Sequence, residues 1–147
     1  MVDFDLRPAR FDDAPGIKAL VRAVHINPLD LDWRRFVIAQ SGQVDLLGCG
    51  QVKPHRGGLQ ELASIAVWPE YRNQGVARAI IERLIFENPQ RLYLMCASLT
   101  CPMYEKFGFR ALEIEEMPLY FARMIRLANL FGRFSANQPQ IRVMRRD

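Results

Sequence analysis

The sequence predicts one α/β domain with a mostly antiparallel sheet, and three observations lead to this fold class. The chain has 147 residues, which is the size of one ordinary domain with a real core. Half of its residues are hydrophobic and 24% are charged, as in globular proteins. Segments with the two-residue period of strands alternate with segments of helical period, without an internal repeat or a linker.

The first half of the chain predicts one helix and four strands. Asp12 or Asp13 can cap the helix, because a carboxylate accepts hydrogen bonds from the free N–H groups of a first turn. The apolar face of this helix carries Ile17, Leu20, Val21 and Val24. Strands are predicted at residues 2–7, 36–40, 44–52 and 59–67. The turn at residues 41–43 joins the second and third strands into a hairpin.

The second half predicts three helices and three strands. A helix over residues 75–86 carries apolar side chains at helical spacing and ends at Asn88-Pro89. Pro102 suits the first turn of a short helix that ends at Phe107. A third, amphipathic helix covers residues 119–134, with Arg123, Arg126 and Arg133 on one side. The strands are predicted at residues 92–96, 109–114 and 141–145.

Composition excludes several classes of protein. The sequence has neither a secretory signal nor an apolar run near the ~20 residues that span a bilayer, so we expect a cytoplasmic protein without a membrane partner. Cys49, Cys96 and Cys101 form no C-x-x-C pair, and His25 and His55 lie far from them. Reduced thiols and no metal site are therefore expected. The net charge of +4 favours an anionic partner, which could be nucleic acid, an acidic membrane or a phosphate-rich cofactor.

The stretch from Ile65 to Ala77 carries the strongest functional signal. It runs from a buried strand through a turn into a helix, whose free N–H groups and dipole attract an anion. Gly75 and Ala77 let a phosphate approach the backbone, and Arg72 adds a positive charge. The stretch has neither Gly-Lys-Ser/Thr nor G-x-G-x-x-G, so it is neither a P-loop nor a dinucleotide motif. Taken alone, Arg72-x-x-Gly75-x-Ala77 fits an ordinary helix start equally well.

The segment from Leu62 to Ala77 resembles the pyrophosphate-binding motif of the GNAT superfamily, the acyl-CoA-dependent N-acyltransferases. That motif has Arg or Gln, two residues, Gly, one residue, then Gly or Ala, after a strand that ends in an apolar-apolar-Val step. The segment Tyr104-Glu105-Lys106-Phe107-Gly108-Phe109 resembles the family's Tyr-x-x-x-Gly-Phe. The resemblance implies a single GNAT domain over residues 1–147. Its mixed sheet of about seven strands is flanked by helices, and two central strands splay apart.

The resemblance also implies a reaction and its residues. An acetyl or other acyl group passes from acetyl-CoA to a primary amine by direct attack, through a tetrahedral intermediate. Tyr104 corresponds to the phenol that protonates the departing thiolate, although it could simply pack. Glu61 is the candidate base that acts through water, unless it is an exposed strand glutamate. The implied cofactor-binding residues are Ala66, Val67, Arg72, Asn73, Gln74, Gly75, Val76 and Ala77, with the Val67 N–H also facing the oxyanion.

The sequence departs from the family pattern at two places. Asn73 stands where the family usually has glycine, which is tolerable because asparagine accepts left-handed backbone angles. The family often has an asparagine about seven residues before the tyrosine. Here Ala97 and Ser98 occupy that region, and Ser98 could replace the contact.

The resemblance implies that the acceptor is a small-molecule or peptide amine and that its site lies at residues 24–35 and 118–139. The arginine and aromatic content of the second segment favours an acceptor with a carboxylate or phosphate, although a solvated helix face explains it too. Two other functions stay open. One is a catalytically weak CoA-binding sensor, and the other is a basic interaction protein that uses helix 119–134 on a membrane or nucleic acid. The interaction protein ranks third, because an ordered partner helix or a homodimer contact explains the same pattern, and nucleic acid is not an expected partner.

Overall fold

The computed structural model describes residues 1–132 and 140–147. The described strands are β1 Asp5–Pro8, β2 Phe36–Gln40, β3 Gly48–Pro54, β4 Gln60–Val67, β5 Leu92–Ala97, β6 Arg110–Ala111 and β7 Ile141–Arg146. The described α-helices are α1 Ala14–Ala23, α2 Val76–Glu87, α3 Cys101–Glu105 and α4 Leu119–Gly132. The strands form one sheet in the order β1-β2-β3-β4-β5-β7-β6. The predicted fold class, a seven-stranded sheet flanked by helices, is therefore confirmed.

The sheet is mixed, as predicted. Among the described strand pairs, β1–β2, β2–β3, β5–β7 and β6–β7 are antiparallel, which confirms the hairpin of β2 and β3. Strands β4 and β5 run parallel, with Glu61 opposite Tyr93. The splay of these two strands remains a prediction.

The chain divides into two compact units, the first of which contains residues 1–55 and 62–89. Its core buries the predicted face of α1, with Ile17, Leu20 and Val21 at most 1% exposed. Helix α2 packs closely on β3. At Gly50 a Cβ atom would lie 2.5 Å from Ile65 Cδ1 and 2.8 Å from Ile80 Cγ2, so only glycine allows this approach.

The second unit contains residues 56–61 and 90–147. In this unit, Phe121 and Ile125 of α4 pack against the sheet. The rings of Phe121 and Tyr93 stack at a centroid distance of 5.1 Å. Arg123 and Arg126 are exposed, so α4 has the predicted apolar and basic sides. Arg133, the third predicted arginine of this face, lies outside the described residues. No described helix is long and apolar enough to cross a bilayer.

Three predicted strand boundaries differ from the structure by more than two residues, and side-chain hydrogen bonds explain two of these differences. The strand predicted at residues 109–114 is limited to Arg110–Ala111, because the reciprocal capping of Glu113 and Glu116 starts a 3-10 turn at Ile114–Glu116. Strand β3 begins at Gly48 rather than at residue 44. Before it, Ser41 Oγ accepts a hydrogen bond of 3.0 Å from the N–H of Val44, which holds this residue in the turn. Strand β1 begins at Asp5 rather than at residue 2.

The predicted cap of α1 lies at the right position but makes a different contact. Asp13 directly precedes α1, and its carboxylate gives this helix no capping hydrogen bond. It accepts instead from the Arg10 N–H at 2.6 Å and from two nitrogens of Arg7 at 2.8 and 3.0 Å. Val24, predicted on the apolar face, follows the last residue of α1.

Candidate active site

The turn between β4 and α2 has the backbone that an anion site requires. Asn73 and Gly75 both have left-handed backbone angles, with φ of 62° and 85°. Gly75 is the cap residue of α2, and nothing lies within 4 Å of the position its Cβ would take. The N–H groups of the first turn have no partner inside the helix. The turn therefore offers open space lined by unpaired donors at the positive end of a helix.

Arg72 is the cation of this turn. Its side chain is exposed, and Nε donates a hydrogen bond of 3.2 Å to the carbonyl of Val67. This bond ties the arginine to the end of β4. The two terminal nitrogens of the guanidinium donate no hydrogen bond to the described part of the chain, so they are available to an anion.

The other predicted cofactor residues of the turn present backbone rather than side chains. Ala66, Val67 and Val76 are at most 8% exposed. The side chain of Gln74 is already occupied: its Oε1 accepts from the Val2 N–H at 2.7 Å, and its Nε2 donates to the Glu70 carbonyl at 3.4 Å. The sequence did not reveal this anchoring of the N-terminal segment.

Ser64, inside β4, has a left-handed φ of 58°, which sequence reasoning missed. Such a conformation is unusual for serine in a strand and marks a local bend. Two side chains of β3 hold it: Gln51 Nε2 donates to Ser64 Oγ at 2.9 Å, and Cys49 Sγ lies 3.6 Å from the Ser64 carbonyl. No sequence signal points to this bend, because serine is an ordinary strand residue.

In the second unit, Glu61 lies on β4 opposite Tyr93 and is 8% exposed. The alternative that Glu61 is an exposed strand glutamate is therefore wrong. Burying a carboxylate costs free energy unless its surroundings compensate, so buried carboxylates are normally paired or hydrogen-bonded.

Tyr104 lies on α3 with its ring edge-on to Phe109, at a centroid distance of 6.1 Å. Burial, followed by the nearby Cys96 thiol, raises the pKa of the Tyr104 phenol. The phenol therefore stays protonated at neutral pH. No hydrogen bond joins its hydroxyl to another residue in ranges 1–132 and 140–147. Tyr104 is thus a half-buried proton donor with its donor capacity unused.

The segment that carries Tyr104 is fixed by the C-terminal strand. The N–H groups of Phe107 and Phe109 donate to the Tyr104 carbonyl at 3.0 and 3.3 Å, and Gly108 between them has a φ of 92°. Arg146 of β7 packs over Gly108 and donates from Nε to the Phe107 carbonyl at 2.9 Å. Arg146 therefore holds this segment in place, and the sequence did not single it out.

All three cysteines are free thiols. Burial raises the pKa of both the Cys49 and the Cys96 thiols to about 12, so neither is a thiolate at neutral pH. Cys96 Sγ lies 3.7 Å from Cys101 Sγ and 3.8 Å from Met144 Sδ, a proximity that the sequence spacing did not predict. No group of three or more potential metal ligands occurs among the described residues.

The chain is similar in sequence to one family of acetyltransferases. Residues 32–111 match the family model described as an acetyltransferase (GNAT) domain. An uncharacterized N-acetyltransferase of Chlorobaculum tepidum is 29% identical over 87 residues, which are 56% of this chain and 54% of that protein. The chain thus matches about half the length of this relative.

Solved structures share the fold. The N-acetylglutamate synthase of Neisseria gonorrhoeae, complexed with coenzyme A and N-acetyl-glutamate, has a TM-score of 0.75 at 21% identity, over 99% of this chain and 35% of its own. A Mycobacterium tuberculosis protein in complex with CoA has a TM-score of 0.72 at 22% identity, over 97% and 98%. The ribosomal-protein-S18-alanine N-acetyltransferase of Escherichia coli has a TM-score of 0.69 at 17% identity, over 98% and 93%.

Proposed function

Because the chain belongs to the GNAT acetyltransferase family, we propose that it transfers an acetyl group from acetyl-CoA to a primary amine. The observation that carries this proposal is the open start of α2, where Gly75 leaves room beside unpaired N–H groups. Arg72 adds the positive charge that a pyrophosphate requires. The backbone of Ala66 and Val67 would hold the pantetheine arm.

In the proposed reaction, the amine nitrogen attacks the thioester carbon and the carbon–sulfur bond then breaks. Glu61 takes the amine proton through a water molecule, because a neutral amine is the nucleophile. The Val67 N–H stabilises the oxyanion. Tyr104 protonates the departing thiolate, a role supported by a phenol that is protonated at neutral pH and whose hydroxyl donates no hydrogen bond to a described residue.

The acceptor in this proposal is a small molecule or a peptide end with a primary amine. The names of two proteins with the same fold are consistent with such acceptors. One is an N-acetylglutamate synthase, and the other is an N-acetyltransferase for an alanine of a ribosomal protein.

The first test is a thermal melt with increasing acetyl-CoA, with ATP and NAD as controls. A ligand that binds only the folded state raises the melting temperature as its concentration exceeds Kd. A rise with acetyl-CoA alone is expected. Its absence at saturating concentration would mean that residues 72–77 only begin a helix, and a basic interaction protein would become the better reading.

The second test is Tyr104→Phe, assayed with an amine that the wild-type protein acetylates. Losing a general acid lowers kcat by about 10²- to 10⁴-fold, while acetyl-CoA should stabilise the variant as before. An unchanged kcat would remove Tyr104 from the mechanism, and CoA binding without turnover of any amine would favour the sensor.

A further inference from the structure

Lys53, on β3, is a buried cation without a counter-charge. It is 5% exposed, and its Nζ donates to the Leu29 carbonyl at 3.2 Å. No carboxylate of the described residues lies within ion-pair distance of this ammonium. Burying an ammonium is costly unless an anion compensates it, so the site favours an anion from outside the chain.

The two acids that follow Leu29 in this loop already have partners. Asp30 pairs with Arg35 at 3.1 Å, and Asp32 pairs with Arg34 at 3.0 Å. Both carboxylates are thus neutralised by neighbours in sequence. The loop offers Lys53 a backbone carbonyl and no charge.

Gln51, two residues earlier on β3, has a buried hydrogen-bond acceptor without a donor. It is fully buried, and its Nε2 donates to the Asp30 carbonyl at 3.2 Å and to Ser64 Oγ at 2.9 Å. The contact with a carbonyl fixes the orientation of the amide, because a flipped amide would set two acceptors against each other. Gln51 Oε1 is therefore a buried acceptor, and it has no hydrogen-bond partner among the described residues.

The side chains of Gln51 and Lys53 contact the same loop. Residues two apart on a strand share a face, and Gln51 and Lys53 contact the consecutive carbonyls of Asp30 and Leu29. Together they present a bare acceptor beside an uncompensated cation. Water could donate to Gln51 Oε1, but water cannot neutralise Lys53.

We propose that Gln51 and Lys53 bind an acceptor that carries a carboxylate beside its primary amine, which is the chemistry of an amino acid. An N–H of the amine donates to Gln51 Oε1, and the carboxylate accepts from Lys53 Nζ. This inference rests on the proposed acetyl transfer and names the class of its substrate. An acceptor without the carboxylate leaves the buried charge of Lys53 uncompensated.

The test compares kcat/KM for amino acids with that for the corresponding amino acid amides, which keep the amine and lose the charge. Hydrogen bonds to charged groups are worth about 1.5–3 kcal/mol, which corresponds to a roughly 10- to 150-fold preference for the free acids. Lys53→Met should lower kcat/KM for the acids and leave the amides nearly unchanged, so that the preference disappears. Lys18→Met, on the exposed side of α1, is the matched control and should keep it.

Thermal melts separate this role from a structural one. Replacing a buried, uncompensated charge by an apolar side chain of similar size should leave the melting temperature unchanged or raise it. Equal rates for acids and amides in the wild-type protein would overturn the inference, and that result needs no variant to fold. Equal losses for both substrates in Lys53→Met would also overturn it. No acetylation of any amine would instead refute the proposed function.

Discussion

Gly48→Ala tests whether the end of β4 and the start of α2 together bind acetyl-CoA. A Cβ atom at residue 48 would lie 2.9 Å from the Ala66 carbonyl oxygen, 3.0 Å from Val76 Cγ1 and 3.1 Å from Val67 Cγ2. The first contact is with backbone, so no side-chain rotation relieves it. The end of β4 must shift, and with it the predicted pantetheine-binding groups.

Gly50→Ala is the matched control, because it overpacks the same strand against the same helix. There the added Cβ would meet Ile65 Cδ1, Ile80 Cγ2 and Leu84 Cδ1, which are all side-chain atoms. Overpacking costs typically about 1–3 kcal/mol. At about 2–4 °C for each kcal/mol, both variants should lose roughly 2–12 °C of melting temperature.

The two variants should differ in their response to acetyl-CoA. At 100 times Kd a ligand stabilises by about 2.7 kcal/mol, and a tenfold weaker Kd reduces this to about 1.4 kcal/mol. Gly48→Ala should therefore lose about half of the ligand-induced rise in melting temperature. Gly50→Ala should keep all of it. Equal rises in the two variants would refute the assignment of Ala66 and Val76 to the cofactor site.

Three further variants test the turn, the partly buried ion pair of Arg7 and Asp13, and the base. Asn73→Ala should cost about 1–2 kcal/mol of unfolding free energy, because its left-handed angle is unfavourable for alanine, whereas Asn73→Gly should not; urea titration measures both. In the wild type, the bidentate hydrogen bond from Arg7 lowers the pKa of Asp13. Asp13→Asn removes this bond and should lower the free energy of unfolding by about 1.5–3 kcal/mol at pH 7. The stabilisation by the ion pair is fully present at pH values above the ordinary carboxyl pKa. It is lost as the pH falls through the lowered pKa of Asp13 in the folded protein. The unfolding free energies of the wild type and of Asp13→Asn should therefore converge in acid. Glu61→Gln should lower kcat about 10²- to 10⁴-fold with unchanged stabilisation by acetyl-CoA, and a full kcat would exclude Glu61 as base.

Local sequence patterns predicted most of the fold. The period of the apolar residues placed α1, α2 and β4, and the turn at residues 41–43 predicted the hairpin. The strand predicted over residues 109–114 failed because capping between Glu113 and Glu116 competes with strand pairing. Such competition depends on hydrogen bonds that hydrophobic periodicity does not register.

Only the part of the candidate site that is continuous in sequence was predictable. The turn from Arg72 to Ala77 is continuous in sequence, so its residues could be named in advance. The burial of Glu61 and the support of the Tyr104 segment by Arg146 depend on contacts between distant strands. Lys53 and Gln51 gave no signal at all, because alternating polar residues on a strand normally face solvent.

Three violations of local rules meet on β3 and β4, and their coincidence favours a functional explanation. Ser64 has a left-handed angle in a strand, Gln51 has a bare buried acceptor, and Lys53 has a buried charge without a carboxylate. An apolar side chain at residue 53 would avoid the cost of burying an uncompensated charge. A fold built for stability alone would use one there. Strain and unmet polar groups persist where a ligand needs them, so the acceptor is best sought among molecules that satisfy both groups at once.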